Sequence, residues 1–130
     1  MNDVARYLQE GGWSMYPIAC LGLVGALMGL AALASMWTLS RKLPIGFGLS
    51  ALILGLMAVG MGLFGTMLGR RTTEEAIAAV EPEYAAVIRV QGYEESDNNL
   101  VLGALACALP LLAGLLAVGR GLTMKEPKKR

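Results

Sequence analysis

Residues 43–69 read LPIGFGLSALILGLMAVGMGLFGTMLG, and no charged side chain occurs among them. A stretch that apolar and that long is enough for a helix to cross about 30 Å of hydrocarbon. Inside it a small residue returns in a three-four rhythm at Gly48, Ala51, Gly55, Ala58, Gly62, Gly65 and Gly69. Three-four spacing averages 3.5 residues per turn, so all seven fall on one stripe of a helix. Lipid gives helices no hydrophobic reason to associate, and membrane helices pack where small residues let backbones approach. The stripe therefore predicts a helix that touches protein along its whole depth, and it points to an assembly.

Two further stretches have the same character. The first covers residues 17–39 and the third residues 100–119, with the second at 45–69 between them. In a chain of 130 residues with a mean hydropathy of +0.56, the remainder is too short for an ordinary soluble domain. The reading is an all-α integral membrane protein, a single domain over residues 1–130. It has three transmembrane helices plus short outer amphipathic helices. The third stretch repeats the rhythm at Gly103, Ala106, Pro110, Ala113 and Ala117, with Pro110 expected to bend its helix. Cys20 and Cys107 fall in different stretches and read as small apolar packing residues.

Charge divides by side. Arg41 and Lys42 lie between the first two stretches. The tail, residues 120–130, holds Arg120, Lys125, Lys128, Lys129 and Arg130 against Glu126. Glu74, Glu75, Glu81, Glu83, Glu94, Glu95 and Asp97 lie in the long segment 70–99. The positive-inside rule puts the basic side in the cytoplasm, the N-terminus outside and the acidic segment outside. In a bacterium this is the inner membrane. The polar start of the chain lacks the basic opening of a secretory signal, so no cleaved leader is expected.

Arg70 and Arg71 stand on the supposedly outer side and carry two readings. In one they pair with Glu74 and Glu75 a turn later and anchor the helix end at the headgroups. In the other they form a cationic outer rim around a pore mouth.

The outer segments show helical signals. Residues 2–10 suit an interfacial helix, followed by Gly11-Gly12 and by Trp13 and Tyr16 at headgroup depth. Pro17 suits a first helical turn. In 70–99, Thr72 and Glu75 form a capping-box pattern. Ile77, Val80, Tyr84, Val87 and Ile88 follow helical spacing, Pro82 is expected to interrupt the run and Gly92 to end it. Ser96 or Asp97 would then cap the third span. The group Glu94, Glu95, Asp97, Asn98 and Asn99 lacks the ordered ligand spacing of a calcium loop and reads as a solvated turn.

Catalytic signals are absent from the sequence. It has no histidine, no cysteine pair at metal-ligand spacing, no phosphate-cradling glycine loop and no serine nucleophile motif. No catalytic residue, cofactor or metal ligand is assigned, and an enzyme is not expected. The basic residues are too few and too terminal for nucleic acid; the tail suits a topology signal and anionic lipid. The spans hold no Asp, Glu, Lys or Arg, so any proton or ion movement must borrow a titratable side chain. Among the polar side chains of the spans, Thr66 stands beside the stripe near the outer end. Either its hydroxyl bonds back to its own helix, or it lines a pore.

Three patterns together resemble the proton-channel superfamily of TolQ, ExbB and MotA. Gly11-Gly12-Trp13-Ser14-Met15-Tyr16-Pro17-Ile18 looks like the opening of TolQ and ExbB chains. Gly62-Leu63-Phe64-Gly65-Thr66-Met67-Leu68-Gly69 is similar to the Gly-Leu-Leu-Gly-Thr-Val-x-Gly core of that family's second span. The order of outer segment and small-residue-rich third span agrees as well. The resemblance implies a homo-oligomer, a pentamer, whose second and third spans ring one or two single-span partners. Those partners would be TolR- or ExbD-like and carry a membrane aspartate, and Thr66 would match the family's pore threonine. The implied role is an oligomeric scaffold or ion-channel subunit of an energy-coupled envelope complex. The chain departs from the family in three ways. Arg41 to Pro44 is only a turn where the family has a large cytoplasmic region, the third span has Cys107 near where the family has a threonine, and the long cytoplasmic helices are missing. The alternative is a non-conducting accessory subunit of a larger membrane complex, in which the stripes simply pack against neighbours.

Overall fold

The computed structural model describes residues 12–38 and 40–125. Among the described residues there are three helices: α1, Met15–Ser35; α2, Lys42–Ile77; and α3, Pro82–Thr123. Their 21, 36 and 42 residues correspond to about 31, 54 and 63 Å at about 1.5 Å per residue. All three are long and apolar enough to cross a membrane. Among the described residues there is no strand. The expected interfacial helix at 2–10 and the end of the tail lie outside the described residues.

The middle of the bundle is built from small residues. Among the described residues the buried apolar side chains are Met15, Ile18, Ala32, Pro44, Ala51, Ala58, Pro110, Ala113 and Ala117, and most of the other buried positions are glycines. Large apolar side chains such as Leu27, Ile53, Phe64, Met67, Leu105 and Leu112 are exposed. In water this would be a far larger apolar surface than a soluble monomer tolerates; against lipid tails it costs nothing. Trp13 and Tyr16 stand exposed at one end of α1 and Trp37, 86 % exposed, at the other. They are about 32–36 Å apart along a helical rise, the separation of two aromatic belts.

Six of the seven stripe residues of α2 are buried, and Gly69 is half-buried. Their partners are in the same chain. A methyl group added at Gly62 would lie 2.8 Å from the Asn99 carbonyl oxygen and 3.2 Å from Gly103 Cα. One added at Gly48 would meet the Gly114 carbonyl oxygen at 3.0 Å. The stripe is thus the seam of an α2–α3 hairpin, and its small residues are used up within one protomer. It does not by itself call for an assembly, as the sequence suggested.

The seam is longer than the apolar stretches. At the end where α1 hands over to α2, Gly121 packs on Ile45 and on the Arg41 backbone. At the other end Gly92 takes the side chain of Thr73. α1 lies across both helices in parallel register with α3. Gly22 faces Ala106, Gly25 faces Pro110, and Gly29 faces Ala113. α3 runs unbroken through Pro110, whose ring is buried between Gly25 and Gly55.

Residues 70–99 are not a loop carrying separate short helices: α2 continues to Ile77, residues 78–81 turn, and α3 starts at Pro82. Pro82 does not interrupt a helix but opens one, at a position where a missing N–H is harmless. Thr72 is inside α2 and its hydroxyl donates to the Leu68 carbonyl, so it caps nothing. Gly92 does not end a helix; its bare backbone admits Thr73. Ser96 and Asp97 cap nothing either, because both lie inside α3. Val80, Tyr84 and Val87 are exposed, so the amphipathic face of this segment is not spent on the chain's own core. α1 ends at Ser35, where Ser35 and Thr38 hydroxyls donate to the Ala32 and Ser35 carbonyls, 2.7 Å each.

Candidate functional site: a polar junction at the hairpin end

Below the charged tip of the hairpin, all three helices meet in a polar cluster. Ser14, at the start of α1, donates a 2.7 Å hydrogen bond to Asn99 Oδ1 on α3. Asn99, 2 % exposed, sits over Gly65, where an added methyl would be 3.0 Å from its Cγ. Its amide nitrogen reaches the Ser96 carbonyl at 3.4 Å. Thr66, 7 % exposed, points its single O–H at two carbonyls, Gly62 on its own helix at 2.9 Å and Ser96 on α3 at 3.0 Å. Ser96 and Thr73 bond back to the Gly92 and Gly69 carbonyls. Among the described residues no buried side-chain polar atom lacks a partner, as a polar cluster in a low-dielectric bundle requires.

Beside this cluster a cleft of about 420 Å³ opens between the three helices. Its walls include Trp13, Ser14, Thr73, Gln91, Glu95 and Asn99. Thr66 is not on its wall. The structure puts Thr66 in the α2–α3 seam, bonded back to its own helix and across to α3. Ser35 and Ser50 within the spans, and Thr123 just past the third, also donate to a carbonyl of their own helix.

Above the cleft, charges link the two arms of the hairpin. Arg70 donates to Asp97 at 2.7 Å and stacks over the Tyr93 ring at 5.1 Å. Arg89 grips Glu74 with two hydrogen bonds of 3.0 and 3.1 Å, and Tyr93 donates to the same carboxylate at 2.7 Å. The Arg89 guanidinium first, and then the Tyr93 hydroxyl, hold the Glu74 carboxyl below its usual range. The same carboxylate raises Arg89 and Tyr93 above theirs. Arg71 pairs with Glu75 at 3.0 Å, one turn on, as expected. Arg70 does not pair with Glu74 as expected; it crosses to Asp97. Arg70 and Arg71 are thus both balanced by carboxylates, and at this rim the cations do not stand alone.

The sequence reading missed Ser96 and Asn99 as interior residues and took their neighbourhood for a solvated turn. A usable signal was present. The three-four rhythm of α3 continues upstream from Gly103 through Asn99 and Ser96 to Gly92, and that of α2 continues past Gly69 to Thr73. Cys20 is exposed and Cys107 half-buried, both as free thiols; neither packs in the core. Cys107 Sγ lies 3.0 Å from the Ala104 carbonyl. Among the described residues no three His, Cys, Asp or Glu side chains gather as a metal site would need. No family model, curated protein or solved structure matches the chain.

Proposed function

We propose that this chain is a scaffold subunit of the TolQ, ExbB and MotA kind. In this reading it sits in the bacterial inner membrane with its N-terminus outside and its C-terminus in the cytoplasm. Copies of it ring single-span partner helices in an energy-coupled envelope complex. The observation that carries the reading is the way the octapeptide Gly62–Gly69 divides. Gly62, Gly65 and Thr66 turn inward and hold α2 to α3, while Leu63, Phe64 and Met67 are exposed. The octapeptide that resembles the family's second span thus fixes a hairpin and leaves an apolar face for neighbouring helices. The spans contain no titratable carboxylate or amine, and the Thr66 hydroxyl is engaged by two carbonyls. A membrane aspartate for ion movement would come from a TolR- or ExbD-like partner.

The test is a photo-crosslinking residue placed at Leu63, Phe64 or Met67 of the protein in its own membrane. The ring reading expects adducts to a second copy or to a small single-span protein. Adducts to lipid alone at all three positions would overturn it.

The accessory-subunit reading is favoured by one specific observation. Thr66 is spent on helix pairing, which suits a subunit that packs and conducts nothing. Its crosslinks would go to several unrelated proteins and never to a second copy.

A further inference from the structure

The two ends of the bundle treat their cations differently. At the hairpin end, Arg70, Arg71 and Arg89 each have a carboxylate within 3.0 Å. At the opposite end, Arg41, Lys42, Arg120 and Lys125 have no carboxylate partner among the described residues. The fold brings together the two segments that carry them, the start of α2 and the end of α3. Gly121 at the end of α3 packs against the backbone of Arg41 at the start of α2: a methyl added there would be 3.3 Å from the Arg41 carbonyl oxygen. Lys42, Arg120 and Lys125 are exposed and Arg41 is half-buried. The first turn of α2 contains no acidic residue to offset Arg41 and Lys42, which stand at the positive end of the helix dipole. Trp37, 86 % exposed a few residues before Arg41, marks headgroup depth beside them.

From this we infer that the basic end of the bundle, formed by Arg41, Lys42, Arg120 and Lys125, is a docking surface for the phosphates of anionic phospholipid. The chemistry is that of a basic cluster flanking a membrane helix, which attracts anionic headgroups and is screened by salt. Guanidinium groups suit phosphate oxygens by bidentate bonding, and the lysines add point charge. A phosphate here supplies the anion that the protein itself supplies to the arginines of the other end. The inference rests on the membrane reading but not on the ring reading, since it concerns one protomer.

The experiment is native mass spectrometry of the full chain in mild detergent, with phosphatidylglycerol or phosphatidylcholine added in equal amounts. The wild-type protein is expected to retain phosphatidylglycerol over phosphatidylcholine by on the order of tenfold, falling as salt rises. The triple variant Arg41→Gln, Lys42→Gln, Arg120→Gln is expected to lose most of that preference. The triple variant Arg70→Gln, Arg71→Gln, Arg89→Gln is expected to keep it. Lys128, Lys129 and Arg130 stay in every variant. Equal retention of the two lipids by the wild-type protein would overturn the inference. So would an unchanged preference in the first triple variant, or an equal loss in both. Displacement of the lipid by millimolar inorganic phosphate would identify a free-anion site and overturn the lipid assignment. If the first triple variant does not fold, Lys42→Gln with Lys125→Gln, both at exposed positions, keeps the inference testable: it must lower the preference for phosphatidylglycerol, and an unchanged preference would overturn the inference.

Discussion

Ser14 and Asn99 lie 85 residues apart in the chain and are joined by a buried 2.7 Å hydrogen bond. That bond fixes the register of α1 on α3. The Gly22–Ala106, Gly25–Pro110 and Gly29–Ala113 contacts follow it down the bundle at nearly the same offset. An interhelical hydrogen bond in a membrane bundle contributes about 0.6 kcal/mol on average and at most about 1.7. Its value here is as a pin for a stripe of shape-matched contacts.

Asn99→Ala should therefore cost more than Ser14→Ala. Asn99 bonds to Ser14 and to the Ser96 carbonyl and packs on Gly65, so its loss removes two hydrogen bonds and opens space beside Gly65, whereas Ser14→Ala removes the Ser14–Asn99 bond. The expected destabilisation is about 1–3 kcal/mol for Asn99→Ala and about half that for Ser14→Ala. Unfolding of the detergent-solubilised protein by a denaturing surfactant, followed by circular dichroism, measures both. Equal and negligible effects would remove the pin.

Two neighbouring glycines of α2 should respond in opposite ways. A methyl at Gly62 would lie 2.8 Å from the Asn99 carbonyl and 3.2 Å from Gly103 Cα, backbone atoms that cannot turn aside. Gly62→Ala is expected to destabilise by about 1–3 kcal/mol, the cost of overpacking. At Gly60 nothing lies within 4 Å of the same methyl. Gly60→Ala should be neutral or stabilise by up to about 1 kcal/mol, since alanine is the better helix former. The same unfolding measurement decides both.

Much of this was legible in the sequence for one reason. The apolar run of 43–69 and its small-residue rhythm dictate a helix with a close-packed face, and six of the seven stripe residues are buried. What the rhythm does not encode is whose backbone lies against it. A stripe that fits a neighbouring copy also fits α3 of the same chain, and the antiparallel hairpin with its turn at 78–81 makes the intrachain partner the nearer one. The polar junction was misread for a different reason. Glu94, Glu95 and Asp97 raise the polarity of 94–99 enough to suggest a turn. In helical projection, however, Ser96 and Asn99 share the face of Gly92 and Gly103, while Glu94 and Glu95 are exposed and Asp97 meets Arg70. Arg70 itself found a partner 27 residues away, which local spacing cannot foresee.

Thr66→Val should lower stability by about 0.5–1.5 kcal/mol, because valine keeps the shape but donates to neither the Gly62 nor the Ser96 carbonyl. Thr66→Ser should restore most of that. A larger loss of function than of stability in Thr66→Val, with assembly intact, would assign the hydroxyl a role beyond helix pairing.

The charged tip should loosen at both extremes of pH. Glu74 has its pKa lowered by Arg89 and Tyr93, so its contribution is present above the ordinary value of 4.5 and is lost as pH falls below that value through the folded one. Tyr93 has its pKa raised by Glu74. Its contribution is present below the ordinary value of 10.0 and is lost as pH rises through the higher folded one. Hydrogen exchange of the amides near 74 and 89–93 is expected to show reduced protection on the acid side, with rates corrected for intrinsic pH dependence. Glu74→Gln should flatten that response. A profile identical in the variant and the wild-type protein would contradict the assignment.

In the proposed complex, copies of this hairpin form a ring around partner helices. Native mass spectrometry of the complex, extracted gently from its own membrane, counts those copies. Five copies of this chain with one or two copies of a single-span protein are expected. A single copy bound among many different subunits, or a bare monomer, would contradict the ring.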